Sequence, residues 1–104
     1  MTHEHTLRDL TEIFRLPQSR EELEQLLEGL LTPQEMEEFV KRWQLLRRLM
    51  DKHSQRRISK ELGVSLGTIS RGSRLLKYGP GSFRQLVERS VHLPLCADDS
   101  PIVK

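Results

Sequence analysis

The chain carries a single cysteine, Cys96, so no internal disulfide can form, and its place in a polar C-terminal stretch points to a free surface thiol rather than a nucleophile. Aromatic residues are scarce at 5% while charged residues reach 31%, a balance that suits a soluble, helix-rich protein better than a β-sandwich. No apolar run approaches the roughly 20 residues of a membrane span. The opening MTHEHTLRDL also lacks the hydrophobic region of a signal peptide. A cytoplasmic location and no membrane partner are therefore expected. Internal repeats, low-complexity runs and strand-like alternation are all missing. No Ser/His/Asp, Cys/His, paired-carboxylate or glycine-rich phosphate-binding constellation can be assembled, so an enzyme is not expected. His3-Glu4-His5 supplies too few ligands for a metal, and His53 and His92 are isolated, so no metal or resident cofactor is expected either.

What the chain does have is an uneven charge. The net charge is +2, yet residues 1–38 hold 3 Lys/Arg against 10 Asp/Glu and residues 39–91 hold 13 against 3. The basic segment favours a polyanionic partner, for which double-stranded DNA is the economical candidate.

That basic segment is built around Ser54–Lys77, which reads as two short helices meeting at a tight corner. Ser54 can cap a helix over Gln55–Leu62. Gly63 can take the left-handed conformation that ends it, and Ser65 can cap the next helix two residues later. Ile58 and Leu62 share a face of the first helix, while Leu66, Ile69 and Leu76 fall at helical spacing in the second, and Val64 can plug the angle. This is the pattern of a helix-turn-helix, whose second helix enters a DNA major groove. Its outward face gathers Arg56, Arg57, Lys60, Ser65, Thr68, Ser70, Arg71, Arg74 and Lys77 with Glu61 as the one acid, a mixture suited to phosphate oxygens and base edges. Where the next inward residue of the second helix should be large and apolar, the chain has Gly72-Ser73. Two readings stand: close helix approach, or a hollow beside Arg71 able to hold a small ligand with an anionic group.

The remaining helices follow from caps and stripes. Leu7, Leu10, Ile13 and Phe14 mark a first helix that Pro17 ends. Ser19 with Glu22, and Thr32 with Glu35, are capping-box pairs that open a second and a third helix, the third from Pro33 to about His53. Ser82 with Gln85 repeats the pattern for a last helix. Trp43 falls on the apolar face of the third helix and reads as core, and Arg47 and Arg48 read as a solvated face. The sum is a single all-α domain of six helices over residues 1–91, followed by a flexible tail over 92–104 with two prolines and no periodicity. The leucines of the second helix and the wide apolar face of the third exceed what so small a domain covers, which implies a homodimer sharing the first three helices.

Three passages together resemble the Trp repressor family: Leu31-Thr-Pro-Gln-Glu35, Ser54-Gln-Arg56 and Thr68-Ile-Ser-Arg-Gly-Ser73. The resemblance covers about residues 20–91, and Arg-Gly-Ser in that setting is its most specific part. It implies an intertwined all-helical dimer that represses transcription at a palindromic operator, with L-tryptophan as corepressor between the recognition helix and the dimer core. By the same resemblance Arg71 would meet the ligand carboxylate and, with Arg42, sandwich its indole ring. Thr32 would add a hydroxyl, and the carbonyls around Gly29 and Leu31 of the partner subunit would receive the ammonium group. Gly72 would leave the space, and Leu75 would lie beside the ligand's polar end, where relatives often carry Ser. On DNA, Arg56 would contact a base directly, and Leu66, Gly67, Thr68 and Ser70 would approach base edges. Two other readings stay open: a helix-turn-helix regulator of the same fold that needs no ligand, and a helical adaptor whose basic face binds an acidic protein.

Overall fold

The computed structural model describes residues 2–96. Six helices follow one another, α1 (His3–Phe14), α2 (Arg20–Leu30), α3 (Pro33–Met50), α4 (Gln55–Leu62), α5 (Leu66–Tyr78) and α6 (Phe83–Ser90), with no strand among the described residues. None of these helices is long and apolar enough to cross a membrane.

Side-chain caps set most of the boundaries. Thr2 opens α1, its hydroxyl accepting from the His5 amide. Ser19 accepts from the Glu22 amide at 3.1 Å, and the Glu22 carboxylate reaches back one residue beyond the cap, accepting from the Gln18 amide at 2.8 Å. At α3 the box closes reciprocally: the Thr32 amide donates to Glu35 at 2.8 Å and the Glu35 amide donates to Thr32 Oγ1 at 3.1 Å.

Two boundaries depart from the pattern read in the sequence. α3 stops at Met50 rather than near His53, because the chain turns through Lys52 at φ +62° and the His53 and Lys52 amides donate back to Arg48 and Leu49. This is a Schellman stop with lysine where glycine is usual. The hydroxyl of Ser82 makes no cap bond. The Phe83 amide instead donates to the Pro80 carbonyl, a tight turn that brings Ser82 in at ψ near 0° rather than in the extended geometry a cap requires.

The described chain divides after Met36 into an N-terminal and a C-terminal unit. In the N-terminal unit, α1 and α2 bury no residue at all, and Leu7, Leu10, Phe14, Leu23 and Leu30 stay exposed. The core lies in the C-terminal unit. Consecutive residues of α3 point into two clusters: Leu45 packs with Ile58, Leu62 and Ile69 of the α4–α5 corner, and Leu46 packs with Leu76 and Val87 of α5 and α6. Leu49 touches both. Trp43 joins the second cluster as expected, its indole N–H donating to Ser90 Oγ at 2.9 Å and its ring meeting Phe83 edge-on. Truncating Ile69, which is fully buried, to alanine should cost about 2–5 kcal/mol. Urea unfolding measures this, and a loss below about 1 kcal/mol would mean the corner collapses around the cavity.

Arg47 and Arg48 are not the solvated face expected of them. Arg47 is buried and donates to the Val91 and Leu93 carbonyls at 2.7 and 2.9 Å, and Arg48 pairs with Glu61 and Gln44. α6 and the chain just after it fold back over that side of α3, so a guanidinium there is covered and finds carbonyls in place of water. The start of the expected tail is thus held at Leu93, while residues 97–104 lie outside the described chain.

Candidate nucleic-acid interface and the hollow behind it

The corner forms as its capping residues require. Ser54 Oγ accepts from the Arg57 amide and Ser65 Oγ from the Thr68 amide, both at 3.1 Å, and between them Gly63 stands at φ +67°, a left-handed position that glycine takes without steric cost. Ser59 Oγ donates to the Val64 carbonyl at 2.7 Å, which pins the turn, and Val64 packs on the first cluster. Arg56, Arg57, Lys60, Ser65, Leu66, Gly67, Ser70, Arg74 and Lys77 are all exposed. The Ser65 hydroxyl is already engaged by the cap, and Leu66 offers an apolar surface at the start of α5.

Arg57 is the cation of this face that a carboxylate ties down among the described residues. Its Nε donates to Glu61 at 3.2 Å, and Arg48 reaches the other oxygen of the same carboxylate at 3.2 Å, so Glu61 links α3 to α4. Burial alone would push the Glu61 carboxyl up, but the hydrogen bonds from Arg57 and Arg48, with the charges of both, hold it below the ordinary value of 4.5. A carboxyl held low in the folded state adds stability that is complete above its unfolded-state value and is lost as pH falls through its folded value. Acidification below about pH 4.5 should therefore lower the melting temperature of the parent more steeply than that of Glu61→Gln. A gap between the two that stays constant from neutral to strongly acid pH contradicts this.

Behind α5 lies a hollow of about 230 Å³ lined by Arg42, Leu45, Leu46, Thr68, Arg71, Gly72 and Leu75. Four of the residues assigned above to a ligand, Arg42, Arg71, Gly72 and Leu75, therefore meet at one place between α3 and α5. Arg71 is exposed and its guanidinium lies back along α5, donating to Thr68 Oγ1 at 3.2 Å. The other three, Gly29, Leu31 and Thr32, belong to the N-terminal unit and are not among the residues lining this hollow. Thr32 Oγ1 there accepts the Glu35 amide and keeps its own proton to give.

Gly72 serves both readings made of it. It lines the hollow, and a Cβ at that position would stand 3.3 Å from Leu45 Cδ2 and 3.4 Å from Leu49 Cδ1, so α5 also approaches α3 closely there. Gly72→Leu should accordingly overpack this contact and destabilise the fold by about 1–3 kcal/mol rather than stabilise it. Thermal melting decides between the two.

Three lining residues were not assigned to the hollow from sequence. Leu45 and Leu46 also belong to the two core clusters. Thr68 was placed toward DNA, yet it is half-buried and bonds Arg71. The signal that could have found it is spacing: Thr68 precedes Arg71 by three positions and Gly72 by four, one helical turn on the same face.

The sequence profile of one protein family, described as Trp repressor protein, matches residues 5–91. A Trp operon repressor homolog of Vibrio parahaemolyticus is 41% identical to this chain over 81 residues, covering 74% of this chain and 79% of the relative. A homolog of the same name from Pasteurella multocida is 36% identical over 69 residues, covering 65% and 68%, and one from Xylella fastidiosa is 32% identical over 78 residues, covering 74% and 85%. No solved structure matches at a comparable level of significance.

Proposed function

Because the chain belongs to the Trp repressor family and so is a transcriptional repressor, we propose that it acts as a homodimer on a palindromic operator in double-stranded DNA, with L-tryptophan as its corepressor. The observation that carries this reading is the hollow directly behind α5, lined by an arginine from each wall, Arg42 of α3 and Arg71 of α5. A zwitterion with a flat aromatic side chain suits it: the carboxylate meets Arg71, and the indole ring stacks between the two cations. At about 230 Å³ the space is below the roughly 300 Å³ at which pockets for drug-sized molecules begin, the scale of one amino acid.

The dimer is supported by what a single chain leaves uncovered. α1 and α2 bury nothing, and Phe39 and Val40 of α3 are also exposed, so each unit leaves apolar side chains without a cover that a second copy can supply. In such a dimer residues 1–91 complete one domain with their partner, and the carbonyls of the partner subunit's Gly29 and Leu31 receive the ligand ammonium. Two-fold symmetry then sets two α5 helices on half-sites about 34–36 Å apart. Arg56 and Leu66 lead the contacts to bases, with Lys60, Arg74 and Lys77 on phosphates. The cytoplasm, where such an operator and free tryptophan meet, is the compartment this requires.

One feature favours the ligand-independent reading instead. Leu75 presents an alkyl group to the hollow where a hydroxyl would bond the ligand's polar end. Fluorescence anisotropy of a palindromic duplex, titrated with protein in the presence and absence of L-tryptophan, separates the two. Corepression should tighten binding about 5–150-fold. Equal affinity in both leaves a plain reader of DNA, and no binding in either removes both readings.

A further inference from the structure

A second hollow, of about 280 Å³, is lined by Gln44, Arg47, Arg48, Asp51, His53 and Val91. Three of these, Gln44, Arg47 and Arg48, recur at helical spacing on one face of α3, Asp51 follows directly after its last residue, and none of the six lines the hollow behind α5. Gln44 is 2% exposed. Its carboxamide oxygen accepts from Arg48 Nη1 at 3.3 Å, which places the two N–H donors on the other atom, because a flipped amide would set donor against donor. That Nε2 has no acceptor among the protein's own atoms. A buried amide donor without an acceptor is costly, and interiors retain few of them.

The charges around it have one sign on the wall and the other at the rim. Arg47 is anchored by the Val91 and Leu93 carbonyls and Arg48 by Glu61, so both guanidiniums are held in place. Asp51 is the one carboxylate in the lining; it is well exposed and engaged by His53 Nε2 at 3.1 Å.

We propose that this hollow binds a small anion presenting two or more carboxylate or phosphate oxygens, one accepting from Gln44 Nε2 and the others facing Arg47 and Arg48. An acceptor is what the orphaned amide lacks, and negative charge is what two fixed guanidiniums favour. The site is separate from the corepressor hollow and does not depend on that reading.

The test is a ¹H–¹⁵N NMR titration of the full chain with inorganic phosphate and, in a separate arm, with succinate, at constant ionic strength. The Gln44 side-chain amide and the Val91 backbone amide should shift and saturate with at least one of them. Saturation by phosphate alone assigns a tetrahedral oxyanion, by succinate alone a carboxylate, and by both a site open to either. Gln44→Leu, followed at Val91, should weaken binding about tenfold or more, the loss expected for one hydrogen bond to a charged group. Asp51→Asn, a change at the exposed rim that leaves the core untouched, should strengthen binding several-fold because a like charge is removed. Shifts that stay linear in both arms, or an affinity unchanged by either substitution, overturn the proposal.

Discussion

Replacing Arg71 by alanine is expected to abolish the response to L-tryptophan, lowering its affinity about a hundredfold or more. A hydrogen bond between charged groups contributes about 1.5–3 kcal/mol. Cation–π stacking in a desolvated site adds up to about 2 kcal/mol. Both act through this one guanidinium, so their loss is simultaneous. The stability of the fold should scarcely change, because Arg71 is exposed and its side chain holds Thr68 Oγ1 alone among the described residues. Calorimetry with L-tryptophan on parent and variant measures the first effect, and thermal melting measures the second. Equal binding by both proteins would remove the hollow behind α5 as the corepressor site.

The second large effect is on DNA. Arg56, Lys60, Arg74 and Lys77 are exposed and form no ion pair among the described residues, whereas Arg57 is held by Glu61. With Arg56 on a base, Lys60, Arg74 and Lys77 of two protomers would bring about six cations to phosphates, and release of condensed counterions gives a slope of log affinity against log salt of about −5. Between about 50 and 200 mM salt the affinity should drop by about three orders of magnitude. Anisotropy titrations across that range give the slope directly. A flat line would mean that phosphates are not contacted and would favour the adaptor reading. Lys60→Ala should flatten the slope by about two, one contact from each protomer, whereas Arg56→Ala should relax the preference for the operator.

Much of the corner was legible in the sequence alone. Ser54, Gly63 and Ser65 act within one turn of their own position, so the residue types announce the corner, and the alternation of Ile58, Leu62 and Ile69 with exposed cations announces its two faces. The pairing of Thr32 with Glu35 is local in the same way. Where local rules failed, something distant or unusual intervened. Ser82 has the right residue three places on, but the turn at Pro80 fixes its backbone first. Lys52 ends α3 in a conformation that lysine seldom takes, so no glycine was there to signal it.

The chain's own order of residues was enough to specify six helices, a basic helix-turn-helix corner and a gap in the apolar pattern at Gly72, because capping, helical periodicity and charge act over three or four positions. Only the tertiary structure decided which of two neighbouring arginines would be sealed under the end of α6, and that Gly72 both admits a hollow and carries a close helix contact. Those outcomes depend on segments separated by roughly 25–45 positions meeting face to face, and contacts over that distance leave no spacing rule in the chain from which to read them.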